Sequence, residues 1–429
     1  MATVRRWSGH EARALRAALR MTIRAFAEHL GVAARTVSKW EQFGAAITLL
    51  PDSQAILDTA LGRAEDEAKL RFELLLSDGG LAGPAGTVDD VRRRILLGLL
   101  GPAAVSPLSA KLEELRRGLD GVLDADLTDR DVDDWEQTVS DYARDVGTIP
   151  TEQLLSHLVA DFAEIQARIA DASGVMRRPL IHSASQLAAL IAIAFVNVGE
   201  GHSAQRWWRT AARATAEVSD PSLAALVRGR QAVFSVGSAR AERVLGLAEA
   251  AVNLGNSKPC VGVISGMAAR AQILAQMGRH DEAEHALHIV TDMYGRLPTA
   301  ATEDTGSQWN WSEQRLHHVR SHVHTYAGRV AQAASAQDSA LAVYPIANFQ
   351  GRTQIEIHRS IALIRFGDVN VGTRHLTTTM EQLLPWQRRD GIIRRTAFSA
   401  LEIVPAEERH LPGFQQAREL VTSAERARQ

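Results

Sequence analysis

The spacing of apolar side chains between residues 22 and 41 predicts two short helices that meet at a glycine. The first stripe consists of Phe26, Ala27 and Leu30, and the second consists of Val32, Val37 and Trp40. The first stripe has the i, i+1, i+4 spacing of one helical face, and in the second Val37 and Trp40 are three positions apart. Gly31 lies between them, where a helix commonly ends at a positive φ, and Thr22 stands where the first helix needs a cap. Polar and basic side chains remain on the outer face of the second helix.

Similar patterns predict helices on both sides of this pair. Residues 8–20 read as a helix that Ser8 caps, with Glu11 three positions later as in a capping box. Pro51 opens another helix, and residues 64–77 give a fifth. We therefore predict a compact head of five helices over residues 1–77.

The remainder of the chain also predicts helices, with no convincing strand alternation. Residues 78–90 are rich in glycine and predict a linker, and residues 91–127 predict connecting helices. Residues 124–145 are strongly acidic, which indicates a solvated face or a surface that holds the basic head. The region 128–429 then reads as helix after helix, so the predicted fold class is all-α.

Regularly spaced glycines divide the region 128–429 into helical pairs. The glycines are Gly199, Gly237, Gly278, Gly328 and Gly367; the small residues Ala204, Ala283, Ala333 and Gly372 stand five positions after four of them. Seven positions before the glycines the residue is small in four cases, and Arg230 is the exception. A glycine turn followed by a small residue suits a tight helical hairpin, because the second helix must lie close to the first.

Charge is distributed unevenly along the chain. Residues 1–50 carry eight Arg and Lys against three Glu, whereas the whole chain has a formal net charge of −2. A basic head on an acidic body is the pattern expected when only the head meets phosphate. Arg35 on the outer face of the second helix could donate two hydrogen bonds to guanine, and Lys39 could contact a phosphate or a base. An ordinary helical hairpin with a solvated face is the alternative.

The segment LRAALRMTIRAFAEHLGVAARTVSKWE resembles the XRE (lambda-repressor-like, Cro/C1-type) helix-turn-helix domain, over residues 9–77. The resemblance implies that Arg16 pairs with Glu41 across the first and third helices. The sequence departs from the family pattern at Ile23, where the family often has a phosphate-binding Gln, and at Ala33, where the family has a capping Ser or Thr. The resemblance implies that Ala34, Arg35 and Lys39 face base edges, with Thr36 and Ser38 near the backbone. Because Ile23 replaces the Gln, we expect Arg24 or Thr22 to supply the phosphate contact instead.

The helical pairs resemble degenerate tetratricopeptide (TPR) repeats, which form an α-solenoid. An XRE head followed by such repeats is similar in architecture to the RRNPP quorum-sensing regulators. That resemblance implies a cytoplasmic transcription regulator that binds double-stranded DNA as a homodimer on an inverted repeat. It also implies an effector, either a peptide or a small molecule. The alternative is a TPR scaffold whose head tethers a partner protein to DNA.

An effector would lie on the surface lined by the first helix of each pair. Counting back two, six and ten residues from each glycine, and three more in some cases, selects polar positions that face inward. The candidate ligand-binding residues are Asn197, Gln231, Gln272, Gln276, Arg315, His318, His322, Tyr326 and Arg365, with Gln186 and Gln354 in equivalent places. Amides can bond a peptide backbone and arginine suits a carboxylate, although the same residues could line a hydrated groove without a ligand.

Other chemistry is weakly represented. His318 and His322 have a spacing that can share a metal, but no third ligand with useful spacing accompanies them, so we expect no metal site. No phosphate loop, nucleophile elbow or coherent catalytic set is recognisable, so we expect neither an enzyme nor a cofactor.

The basic stretch at 388–395 reads as a solvated helix face. The single cysteine, Cys260, fits a reducing cytoplasm, and we find no apolar run of about 20 residues that could cross a membrane.

Overall fold

The structure is a computed structural model that describes residues 7–19, 21–43, 49–64, 68–69, 72, 129–172 and 174–426. Within these residues the regular elements are helices and no strand occurs, which confirms the all-α class. The chain divides into two compact units, Met1–Arg93 and Arg94–Gln429. The predicted linker at 78–90, the connecting helices at 91–127 and most of the helix at 64–77 lie outside the described residues.

The N-terminal unit contains four described helices. They are α1 (Gly9–Ala18), α2 (Ile23–Leu30), α3 (Ala34–Phe43) and α4 (Pro51–Arg63). α3 contacts both α1 and α2. Phe26, Val37 and Leu57 are fully buried where the helices meet, and the Trp7 ring stacks on Phe72 with 5.5 Å between ring centroids. The apolar stripes read from the sequence therefore form the core of this unit.

Local caps place the helix ends where the sequence predicts them. Ser8 Oγ accepts a hydrogen bond from His10 N at 3.1 Å, and Glu11 Oε2 accepts one from Ser8 N at 2.7 Å, completing the capping box. Thr22 Oγ1 accepts one from Ala25 N at 3.2 Å. Gly31 has φ +69°, so the turn between α2 and α3 uses the left-handed conformation that favours glycine.

The C-terminal unit is a succession of helices. They are α5 (Asp129–Asp145), α6 (Thr151–Asp171), α7 (Arg177–Asn197), α8 (Gly201–Val218), α9 (Pro221–Ser235), α10 (Ala241–Leu254), α11 (Val261–Gln276), α12 (His280–Gly295), α13 (Glu313–Tyr326), α14 (Val330–Val343), α15 (Phe349–Phe366), α16 (Val369–Glu381), α17 (Pro385–Arg388), α18 (Gly391–Glu402) and α19 (Pro412–Arg426), with 3₁₀ turns at Thr299–Ala301 and Ala406–Glu408.

Glycine turns join the helices into packed pairs, as predicted. The pairs are α7 with α8, α9 with α10, α11 with α12, α13 with α14, and α15 with α16. The turn glycines Gly199, Gly237, Gly278 and Gly328 have φ between +73° and +82°. Ala283, five residues after its glycine, is completely buried, and a Cβ added at Gly372 would lie 2.6 Å from Ile364 Cγ1. The small residues are therefore required by close helix contact.

The first helices of successive pairs also pack side by side. α9 contacts α11, α11 contacts α13, α13 contacts α15, and α15 contacts α18. The approach of α9 to α11 is closest at Gly262, where an added Cβ would lie 2.2 Å from the backbone carbon of Ala225. This row of helices carries the polar positions selected from the sequence, apart from Gln186 and Asn197 on α7.

The α7 helix corrects the expectation that no segment is long and apolar enough to cross a membrane. Its 21 residues reach a mean hydropathy of 1.7, which passes that test by length and composition. However, 83% of this apolar window is buried inside the described structure, as expected of a core helix.

Candidate functional site

The outer face of α3 in the N-terminal unit is exposed and basic. Val37 and Trp40 are buried on its inner face, whereas Arg35, Ser38 and Lys39 are exposed. The other residues predicted to bind DNA lie on the same helix or the one before it: Ala34 is the first residue of α3, Thr36 is half-buried, and Thr22 and Arg24 are exposed at the start of α2. The helix periodicity thus separates an apolar anchor from a polar surface, as the sequence predicts.

An ion pair fixes the orientation of α3 against α1. Arg16 Nε lies 2.5 Å from Glu41 Oε1, and Arg16 Nη2 lies 3.0 Å from Glu41 Oε2. Arg16 Nη1 also donates to the carbonyl oxygen of Met21 at 2.8 Å, at the turn before α2. The hydrogen bond to Glu41 raises the pKa of the Arg16 guanidinium. The predicted pairing is confirmed, and it links three helices through one side chain.

A cavity of about 140 Å³ lies in the C-terminal unit, among the first helices of the pairs. Its walls come from α9, α11, α13, α15 and α18, and from the segment between α12 and α13. Six of the residues selected from the sequence line it: Gln272, Gln276, Arg315, His318, His322 and Tyr326, joined by Gln354. The rule of counting back from the glycines is therefore correct for α11 and α13.

Three of the nine candidate residues, and also Gln186, do not line this cavity. Asn197 is buried with no side-chain hydrogen bond to a described residue, and Gln231 accepts one from Arg228 Nη1 at 2.8 Å. Arg365 lies over the ring of Tyr326, with its Cζ 5.6 Å from the centroid. In α15 the count from Gly367 selects Gln354 correctly, but His358 rather than the counted Ile357 lines the cavity. One residue is about 100° of rotation, so these two neighbouring side chains point in different directions.

The sequence pattern did not identify several residues that line the cavity. They include Arg230, Gln308, Trp311, Gln314, Tyr344, Gln350, His358 and Arg395. One signal was present for Arg230, which stood as the exception at a position that is otherwise small. Arg395 belongs to the basic stretch at 388–395, so the expectation that this stretch is only a solvated face is wrong for this side chain.

Three arginines face the cavity, and its lining contains no Asp or Glu. Arg230 is 1% exposed, and its Nη2 donates to the carbonyl oxygen of Asn310 at 2.8 Å. Arg315 Nη2 donates to the carbonyl oxygen of Ser307 at 3.0 Å. Within the described residues none of the three forms an ion pair, and Arg395 makes no side-chain hydrogen bond there. Carbonyl oxygens satisfy donors but do not neutralise charge, so the cavity keeps a positive potential.

The physical environment of these arginines is unfavourable for the charged form. Burial, followed by repulsion from Arg315, lowers the pKa of Arg230 well below its usual range. Burial likewise lowers the pKa of Arg315. The charge of Arg315 therefore acts on Arg230, and both guanidinium groups line the same cavity.

Three neutral histidines form a cluster beside the arginines. His358 lies between His318 and His322, with ring centroids 5.2 and 5.1 Å away, and His322 stacks on Tyr326 at 4.7 Å. Burial, followed by the charge of Arg315, lowers the pKa of His318 to about 4. Burial, followed by His318, lowers the pKa of His322 to about 3. Burial also lowers the pKa of His358 well below its usual value.

Hydrogen bonds hold this cluster in place. The Tyr344 hydroxyl lies 3.2 Å from His318 Nδ1, and burial raises the pKa of Tyr344 to about 12, so it remains a neutral donor. Ser321 Oγ lies 3.0 Å from His358 Nδ1, and Gln276 Nε2 lies 3.2 Å from His322 Nε2. The rings are therefore engaged with neighbouring side chains, and the described residues contain no group of three or more His, Cys, Asp or Glu suited to a metal ion.

One buried acid lies behind the cavity wall. Asp390 caps α18, accepting hydrogen bonds from Ile392 N and Ile393 N at 2.9 and 3.0 Å, and from Gln350 Nε2 at 2.9 Å. Burial raises its pKa to about 6, and the nearby Arg395 works in the opposite direction. Asp390 thus offsets part of the charge of Arg395, whereas no carboxylate serves Arg230 and Arg315 in this way.

Four unpaired polar atoms belong to residues that line this cavity. They are Arg230 Nε, Arg315 Nε, Gln314 Oε1 and His322 Nδ1, which are buried and have no hydrogen-bond partner among the described residues. Buried polar groups are nearly always satisfied, so these four atoms are available to a ligand or to water in the cavity.

Comparison with protein-family models gives no match to this chain, and comparison with curated proteins gives no significant match.

Proposed function

We propose that this protein is a sequence-specific DNA-binding transcription regulator, with α3 as its recognition helix in the major groove. The observation that carries the proposal is the structure of α3 itself, with Arg35 and Lys39 exposed over a buried Val37 and Trp40. A recognition helix needs such a polar outer face on a rigid base. The ion pair between Arg16 and Glu41 supports the proposal because it restrains the helix that must reach the bases.

In this proposal each candidate residue has a role that its position allows. Arg35 reads a base, since its guanidinium can donate two hydrogen bonds to the O6 and N7 atoms of guanine. Thr22, Arg24, Thr36 and Ser38 contact the sugar-phosphate backbone, and Lys39 contacts a phosphate or a base. Ala34, the first residue of α3, is placed with Arg35 at the base edges.

The C-terminal unit is the regulatory part of the proposed molecule. Its paired helices, similar in pattern to TPR repeats, would mediate homodimerisation and bind an effector in the cavity lined by Arg230 and Arg315. Two heads related by a two-fold axis would bind an inverted repeat. A cytoplasmic location is part of the same proposal.

The DNA proposal is tested by selecting sites from random-sequence duplex DNA with the full chain. We expect an enriched inverted repeat, which Arg35→Ala binds more weakly by about 1–3 kcal/mol with relaxed preference at one base pair. Arg279→Ala is the control, since Arg279 is exposed in the C-terminal unit and pairs with Glu282. Absence of any enriched sequence, or unchanged binding by Arg35→Ala, would contradict the proposed role of α3.

A further inference from the structure

The charge of the cavity identifies the chemistry of its ligand. Three guanidinium groups line the cavity and no carboxylate does. A buried cation without a counter-ion is costly, and the cost is removed when an anion binds between the cations. Arginine is moreover suited to planar anions, because its fork of donors can bond both oxygens of a carboxylate at once.

The positions of Arg230 and Arg315 define where an anionic group would be held. Both donate through Nη2 to carbonyl oxygens of the same segment, at Asn310 and Ser307 respectively. Both retain an Nε atom without a partner among the described residues. Arg315 Nη2 also lies 3.4 Å from Gln308 Oε1, and neither arginine bonds a described carboxylate. The two groups are thus oriented by the 307–310 segment while part of each guanidinium remains available to a ligand.

The rest of the lining is suited to an uncharged, partly apolar body. Trp311, Phe234 and Val233 supply apolar surface, while Gln272 and Gln276 supply amide groups. The histidines beside them are neutral, so they offer hydrogen bonds and flat ring surfaces rather than charge. The positive charge is therefore concentrated at the arginines.

We propose that the cavity binds an organic carboxylate, with the anionic group held between Arg230 and Arg315 and an aromatic or similar apolar body against Trp311. This inference extends the proposed effector function by naming the ligand class. Two sources share this chemistry: a free aromatic acid, and the C-terminus of a short peptide that ends in an aromatic residue.

Isothermal titration calorimetry of the full chain with matched acids and amides tests the inference. The probes are 3-phenylpropionate, 3-phenylpropionamide, the tripeptide Gly-Gly-Phe and its C-terminal amide. We expect one acid, or both, to bind about tenfold or more tightly than the matched amide, because the amide removes the charge that the arginines recognise. Preference for 3-phenylpropionate identifies a free acid as the source, and preference for Gly-Gly-Phe identifies a peptide terminus.

Two cavity variants and one control connect this selectivity to the site. Arg315→Gln and Arg230→Gln are expected to reduce the affinity for the acid at least about tenfold while leaving the weak amide binding unchanged. Arg320→Gln is the matched control, since Arg320 lies on the same helix α13 and does not line the cavity. Among the described residues its side chain donates only to Thr291 Oγ1, at 3.4 Å. Circular dichroism confirms that each variant is folded before it is titrated.

The outcomes separate this inference from the DNA proposal. Equal binding of acids and amides, no binding of any acid at millimolar concentration, or inorganic phosphate binding as tightly as the acids would each overturn the carboxylate assignment. Because α3 and the cavity lie in different compact units, DNA selection is measured independently. If the chain selects a DNA sequence but binds no acid, only the proposed ligand class is overturned. If it binds acids but selects no DNA sequence, only the proposed role as a regulator is overturned.

Discussion

Arg16 and Glu41 are 25 positions apart in sequence and form a two-point ion pair, with Nε to Oε1 at 2.5 Å and Nη2 to Oε2 at 3.0 Å. Their side chains are only 19% and 12% exposed, so water screens the pair weakly. The geometry matches the forked donors of arginine to the two carboxylate oxygens. Since Arg16 belongs to α1 and Glu41 to α3, the pair restrains the orientation of the proposed recognition helix relative to α1.

Removing this carboxylate is expected to loosen the N-terminal unit. Glu41→Gln leaves the Arg16 guanidinium without its counter-ion, and we expect a loss of about 1–3 kcal/mol in local stability. Amide hydrogen exchange of α1 and α3 is the measurement, because it reports this unit separately from the large C-terminal one. Glu28→Gln is the control, since Glu28 is exposed on α2. Equal exchange in the two variants would show that the ion pair contributes nothing.

Lys39 is expected to contribute to DNA affinity without contributing to its specificity. Replacing this exposed side chain by alanine should weaken binding by a similar factor on every duplex and lower the salt-dependence slope by about one. Fluorescence anisotropy over a salt series, on a selected site and on an unrelated duplex, measures both effects. A loss confined to the selected site would instead assign Lys39 to a base.

Two glycines should respond to alanine in opposite directions. At Gly262 an added Cβ would lie 2.2 Å from backbone atoms of Ala225 and Leu226, so α9 and α11 must separate. We expect Gly262→Ala to destabilise the chain by about 1–3 kcal/mol in urea unfolding. Gly246 in α10 has no atom within 4 Å of the same position.

Gly246→Ala is thus the matched control, and it should stabilise its helix by about 0.5–1 kcal/mol because alanine favours the helix interior. Since α9 and α11 both line the cavity, Gly262→Ala should also weaken acid binding, whereas Gly246→Ala should not. Similar stabilities for the two variants would mean that the close approach of α9 and α11 does not constrain the fold.

The histidine cluster predicts that the free energy of unfolding falls in acid. In the unfolded chain the pKa of His318 and of His322 is near 6.5, but in the folded protein their pKa values are about 4 and about 3. At pH values between the folded and unfolded pKa values, the unfolded state binds more protons than the folded state. The free energy of unfolding therefore decreases as the pH is lowered from 7 towards 4. Asp390 acts in the opposite direction. Its pKa is raised to about 6, so the folded state binds this proton at a higher pH than the unfolded state does.

Urea unfolding at a series of pH values checks this sign. His322→Gln should make the loss of stability in acid shallower, because it removes one group that must charge on unfolding. Asp390→Asn should make the loss steeper, and it keeps an oxygen that can cap α18. His288→Gln is the control, since the His288 side chain is 77% exposed. A wild-type chain that gains stability between pH 7 and 4 would contradict the prediction.

The sequence by itself determined the helices and their ends, because these depend on neighbours in the chain. Ser8, Thr22 and Gly31 act within three or four residues, and the glycine turns of the C-terminal unit act over similar distances. The same local rule placed His318 and His322 on one face of α13, since their spacing is about one helical turn.

Only the tertiary structure decided which residues share the cavity. Arg230, Arg315 and Arg395 lie on three helices far apart in sequence, and their convergence depends on the rotation of each helix in its packing. A shift of one residue turns a side chain by about 100°, enough to move His358 inward and to leave Arg365 outside the lining. Helix rotation is set by side chains on neighbouring helices, such as the contact of Gly262 with Ala225, and a pattern read along one helix does not contain it.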